Sequence, residues 1–219
     1  MRFHTVGAVS CPAEPYARAM ALRPHATRLP AARRRQQLLE VALEVFGDRG
    51  FHPASMNDVA EAAGVTKPVL YQHFRSKRDL YRNVLTDVGA QLLDAITKAT
   101  TAAQSPHQQV ELGFIAYFRW VEANEAAFRV LFGGGTRRDE EFAAQVALVE
   151  GAIAEAIATL IDVESLTVDQ RRHLAHGLVG LAEGTSRIWM AEGAEEPAED
   201  LARLLADLAW RGLRDIRDA

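Results

Sequence analysis

The chain has 219 residues, enough to bury a full core, and its 48% hydrophobic and 25% charged content is that of an ordinary soluble globular protein. No apolar run reaches the length of a membrane span, and the lone cysteine, Cys11, excludes an intramolecular disulfide, so a reducing cytoplasm is the expected setting. Residues 1–88 carry 13 basic against 8 acidic side chains and residues 89–219 carry 12 against 21, a division that suits phosphate contact by the first part only.

Residues 1–28 show no sustained periodicity, and Pro12, Pro15 and Pro24 interrupt any helix. This segment reads as a disordered arm whose Arg18, Arg23 and Arg28 are placed to touch phosphate or a minor groove, with Met20 as an alternative start. It lacks the basic-then-apolar pattern of a signal peptide. Residues 29–49 are expected to form the first helix, with Leu38, Leu39, Ala42, Val45 and Phe46 as its stripe. Arg33, Arg34 and Arg35 crowd its first turns against the helix dipole, and DNA phosphate is the candidate that would favour them there.

Residues 55–77, SMNDVAEAAGVTKPVLYQHFRSK, predict two short helices, a tight turn between them and a third helix directly after. Ser55 and Asp58 have capping-box spacing, Gly64 suits a left-handed helix end, Thr66 is a second cap, and Pro68 falls in a first turn. Ser76 and Asp79 repeat the capping-box spacing. Such a helix–turn–helix is the layout that places one helix in a DNA major groove.

The remaining pattern is helical to the end. Residues 77–102 form a long helix with stripe Leu80, Val84, Leu85, Val88, Leu92 and Ile96. Helices at 107–124 and 125–131 follow, then a flexible break at Gly133, Gly134 and Gly135, then helices at 140–161, 167–190 and 198–214. The expected fold class is all-α: three helices in an N-terminal DNA-binding domain, residues 29–76, and six in a C-terminal bundle, residues 77–219.

Residues 63–77, Ala-Gly-Val-Thr-Lys-Pro-Val-Leu-Tyr-Gln-His-Phe-Arg-Ser-Lys, resemble the DNA-binding signature of TetR-family transcription regulators. The segments Phe128–Phe132 and His176–Leu181 are similar to fatty-acid-synthesis regulators of the FasR kind. The resemblance implies that Thr66, Lys67, Pro68, Tyr71, Gln72 and His73 face a double-stranded DNA operator and that Lys77 meets phosphate. The chemistry agrees: Lys67 can donate to guanine, Gln72 can pair with adenine's edge, and Tyr71, His73, Thr66 and Ser55 can donate to phosphate, joined by Arg33 and Arg34. Val69, Leu70 and Phe74 are expected on the buried side.

The resemblance further implies a homodimer through residues 167–190 and 198–214, in which Gly177, Gly180 and Gly184 permit close helix approach. Phe114, Tyr117, Phe118, Phe128, Leu131, Phe132 and Trp189 are the candidate lining for a small hydrophobic effector, fatty acid- or acyl-CoA-like, with Arg119, Arg129 and Arg187 as candidate contacts for an anionic head group. Ligand would tilt the long helix from Lys77 and alter the spacing of two recognition helices. A sensor whose helix–turn–helix no longer reads DNA is the alternative, opposed by the intact Thr66, Lys67, Tyr71, His73 and Lys77. No phosphate loop, nucleotide fingerprint or nucleophile elbow is present, so no enzyme activity and no cofactor are expected. His173 and His176 lie three apart on a helix, but without cysteine nearby they make no convincing metal site.

Overall fold

Ten helices make up residues 30–214, the part of the chain described by this computed structural model. They are α1 (Ala31–Arg49), α2 (Met56–Ala62), α3 (Lys67–His73), α4 (Lys77–Thr101), α5 (Pro106–Ala123), α6 (Glu125–Phe132), α7 (Gly134–Arg138), α8 (Glu140–Ala158), α9 (Val168–Ala191) and α10 (Ala198–Arg214). The all-α expectation holds, with the three-helix head and the C-terminal bundle in place. The basic arm read at residues 1–28 lies outside the described residues.

The nine predicted helices are present, and α7 is added where the glycine triplet was read as a flexible break. Its cause is local packing. A Cβ on Gly133 would overlap the Arg129 carbonyl oxygen, so glycine is required there by close approach. One turn on, the buried Thr136 hydroxyl donates to the Val130 carbonyl at 2.7 Å and lies 2.6 Å from the Tyr81 hydroxyl. That pair fastens α7 to both α6 and α4.

Two close crossings fix the frame, one between the head and the bundle and one within the bundle. Gly47 of α1 meets α6 so closely that an added Cβ would lie 2.8 Å from Ala126 Cβ. Gly89 of α4 meets α8, where a Cβ would overlap the side chain of Val149. An aromatic cluster fills the junction: Phe51, in the turn after α1, lies 4.7 Å from Phe142 of α8 and 5.0 Å from Tyr81 of α4, and Phe46 meets Tyr81 edge-on at 5.0 Å. Arg78 stacks 4.8 Å over Phe142 while bonding Asp139 and Glu141.

The glycines of α9, expected to permit close helix approach between subunits, face open space. Nothing lies within 4 Å of a Cβ added at Gly177, Gly180 or Gly184. Near this open stripe Ile188 is 61% exposed, and on α10 Leu204 and Leu208 are 63% and 60% exposed. Leu201 and Leu205 turn inward, because α10 packs along α5.

Candidate nucleic-acid interface and inner cavity

The helix–turn–helix is built by its caps. Ser55 accepts from the Asp58 N–H while its own N–H donates to the Asp58 carboxylate at 2.8 Å, closing a full capping box. The Ser55 hydroxyl and then the Ser55 N–H, with help from Arg49, hold the Asp58 carboxyl below its ordinary pKa. The Ser55 hydroxyl also donates to Asp58 at 2.7 Å, so Ser55 is committed to the cap and its expected phosphate contact has no free proton. Gly64 takes φ +63° and turns the chain into α3. Thr66 sits at the N-cap but makes no side-chain cap bond, which leaves its hydroxyl free. Only half of the second expected box forms: Ser76 accepts from Asp79, whose carboxylate instead takes the Arg75 N–H.

On α3, Leu70 and Phe74 are fully buried and Val69 is half-buried. The opposite side presents Thr66, Lys67, Pro68, Tyr71 and Gln72 to solvent, with His73 half-buried at the end. Tyr71 is 46% exposed, well outside the core. This leaves donors of three kinds on one exposed row, suited to phosphate and base edges.

Two cations have other roles than those expected. Lys77 is not free for phosphate: its ammonium donates to the carbonyls of Phe51 (2.8 Å), His52 (3.1 Å) and Ala54 (2.8 Å) and lies 4.4 Å over the Phe51 ring. Burial pulls its pKa down. Arg35 bonds the His73 carbonyl at 3.0 Å and Asn83 at 2.6 Å and lies 4.4 Å over Phe74, pinning the end of α3 to α1 and α4. No local signal marks either role, since every partner is more than 20 residues away. Arg33 is exposed, and Arg34 is half-buried against Gln37 at 2.8 Å.

Between α4, α5, α8 and α9 lies a cavity of about 380 Å³. Of the seven residues expected to line it, Phe114, Tyr117 and Phe132 do. Phe118, Phe128, Leu131 and Trp189 do not: they are core. Phe128 packs on Phe132 at 5.2 Å, Phe118 meets Trp189 at 5.8 Å, Leu131 is fully enclosed, and the Trp189 indole donates to the Glu196 carbonyl at 2.9 Å. The wall missed by the sequence reading is mostly aliphatic, including Leu92 and Ile96 of α4, Val149 and Ile153 of α8, and Leu178 of α9. None of the three arginines expected at an anionic head group reaches it: Arg119 pairs with Glu199, Arg129 with Glu125 and Asp48, and Arg187 with Glu183. The Tyr117 hydroxyl lies 2.9 Å from Ser186, and burial pushes its pKa far up.

The walls run into the three-helix head. Phe132 lines the cavity at one end of α6, and at the other end Ala126 touches Gly47 of α1. Val149 lines it on α8, two turns from Phe142 and the aromatic junction. Among the described residues no cluster of His, Cys, Asp and Glu could hold a metal ion, and no helix is long and apolar enough to cross a membrane.

Comparison with known proteins agrees with this geometry. Residues 38–84 match the family described as bacterial regulatory proteins, tetR family, and residues 106–212 match the tetracyclin repressor-like C-terminal domain. The HTH-type transcriptional activator FasR of Mycolicibacterium smegmatis is 34% identical over 190 residues, 86% of this chain and 87% of its own. A TetR-like transcriptional regulator from Rhodococcus sp. RHA1 superposes with TM-score 0.70 at 32% identity, over 86% of this chain and all of its own. FadR from Bacillus subtilis in complex with stearoyl-CoA shares the fold at TM-score 0.69 and 16% identity, covering 80% and 96% of the two chains.

Proposed function

This chain belongs to the TetR family of bacterial transcription regulators, which are not enzymes, and on that premise we propose that it is a homodimeric DNA-binding regulator controlled by a small apolar, acyl-type effector. The operator is a palindrome read by the exposed row Thr66, Lys67, Pro68, Tyr71, Gln72 and His73, one α3 from each subunit. The partner docks on the open face of α9 and α10. Among the described residues nothing lies within 4 Å of a Cβ added at the three glycines there, and Ile188, Leu204 and Leu208 stand exposed beside them. That is the surface a close helix pairing needs.

One observation carries the regulatory part: the cavity and the head share their walls. α4 supplies Leu92 and Ile96 to the cavity and begins at the Lys77 clamp; α6 and α8 each reach from the cavity to the head. A ligand that binds one arrangement of these helices better than another shifts the population of DNA-fitting dimers. The aliphatic wall favours an apolar chain, and a protein of the same fold has been seen with stearoyl-CoA.

The test is fluorescence anisotropy with duplex DNA from the promoter of the protein's own gene, with and without fatty acids and acyl-CoA. Tyr71→Ala is expected to weaken binding by one to two orders of magnitude without lowering Tm. Gly113→Leu, which projects a side chain into the cavity, is expected to keep DNA binding and lose the effector response. DNA binding indifferent to Tyr71→Ala, or an effector response intact in Gly113→Leu, would count against the assignment.

A further inference from the structure

Helix directions give the cavity two unlike ends. α5 enters at Pro106 and reaches Tyr117 eleven residues later, about 16 Å along the axis. Around Pro106 lie Gln109, Leu160, Asp162 and Trp210, and Pro106, Leu160 and Asp162 are exposed. This end is the mouth. Around Tyr117 lie Leu92, Phe132, Glu150 and Glu183, with Tyr117 more than nine-tenths buried. This end, on the side of the DNA-binding head, is blind.

The polar groups at the two ends differ in kind. With the Ser186 proton on the Glu183 carbonyl at 3.0 Å, the Tyr117 hydroxyl donates to Ser186 at 2.9 Å. The Tyr117 oxygen keeps only acceptor capacity. Glu150 and Glu183 are also acceptors, held by Arg137 of α7 and, for Glu183, by Arg187 of α9. At the mouth the Gln109 amide and the Trp210 indole bring donors, beside the exposed, water-screened Asp162 carboxylate.

We propose that the blind end recognises a hydrogen-bond donor, a hydroxyl carried on the leading end of an apolar chain, and refuses a carboxylate there. This rests on the effector reading above. The leading hydroxyl donates to Glu150, Glu183 or the Tyr117 oxygen, while an anionic group is left at the mouth. A chain with carboxylates at both ends would set a third anion beside Glu150 and Glu183, whose charges Arg137 and Arg187 already meet, an arrangement disfavoured by like-charge repulsion.

The experiment is isothermal titration of the full chain with dodecanoate, 12-hydroxydodecanoate and dodecanedioate, which differ only at the leading end. The hydroxy acid is expected to bind roughly tenfold tighter than dodecanoate, the scale of one hydrogen bond to a charged acceptor, and the diacid not measurably. In Glu150→Gln, whose side-chain amide adds donors at the blind end, the hydroxy preference is expected to shrink and the diacid to bind. Equal binding of all three chains would overturn the inference and leave the acyl-effector reading standing. A preference unchanged in both Glu150→Gln and Tyr117→Phe would also overturn it. Failure of all three to bind would sink both.

Discussion

Replacing Lys77 with alanine separates a structural cation from a DNA contact. The ammonium joins α4 to the turn after α1 through three carbonyls, two of them part-buried, and caps the Phe51 ring at 4.4 Å. One hydrogen bond to a charged group is worth about 1.5–3 kcal/mol. Three from one ammonium do not add, and the His52 carbonyl, at an exposed position, regains water on truncation. Counting one full bond and the ring contact, at about 0.5–1 kcal/mol, gives a loss of about 2–4 kcal/mol. Alanine's better helix propensity returns a few tenths. For a chain of 219 residues each kcal/mol moves Tm by roughly 2–4 °C, so thermal melting should fall by about 4–15 °C. Lys77→Arg should recover little, because a planar fork cannot converge on three carbonyls. The reasoning is refuted if Lys77→Ala melts within about 1 °C of the parent while the salt slope of DNA binding drops by about one, the mark of a lost phosphate contact.

Three further outcomes are expected. Gly89→Ala should destabilise by about 1–3 kcal/mol through overpacking against Val149, despite its gain in helix propensity, and Val149→Ala in the same chain should restore most of the loss; denaturant midpoints of the two single variants and the pair measure this. Burial raises the pKa of both Tyr81 and Tyr117, so the native state prefers their neutral form. That stability is complete below the unfolded pKa of about 10 and is lost as pH rises beyond it. Alkaline melting should therefore set in above about pH 10, later in the Tyr81→Phe, Tyr117→Phe double variant. Gly180→Glu should leave the fold intact, since among the described residues nothing lies within 4 Å of a Cβ added there, and sedimentation should show the proposed dimer lost.

The helix–turn–helix was legible because its instructions are local: the Ser55–Asp58 box, Gly64 and the Leu70 and Phe74 spacing each act within a few residues. The long helices were legible for the same reason, through periodic stripes. What the sequence concealed depends on distant partners. Lys77 and Arg35 are basic residues beside a DNA-reading helix, and only the folded chain turns them inward, toward carbonyls 23 to 38 residues away. Gly133, Gly134 and Gly135 read as a break because their composition is permissive, yet Thr136 anchors a helix there through Tyr81, 55 positions earlier. The cavity was half legible. Aromatic residues drew attention to themselves, but Phe118, Leu131 and Trp189 are large enough to be needed as core, and the space is bounded by aliphatic residues that look like any helix stripe.

α10 is held in common by two equilibria. Its inner side lies on α5 and brings Trp210 and Leu213 to the cavity mouth, while Leu204 and Leu208 stand exposed on its outer side, the face proposed for a second subunit. Whatever steadies that helix from outside also steadies the doorway. Effector affinity should then be a function of protein concentration, with the titration midpoint moving as the protein is diluted through its dimer dissociation constant. By reciprocity, the effector would change how strongly two subunits hold each other, by the same factor. In a cell that makes few copies of this regulator, its abundance would set the threshold at which it responds.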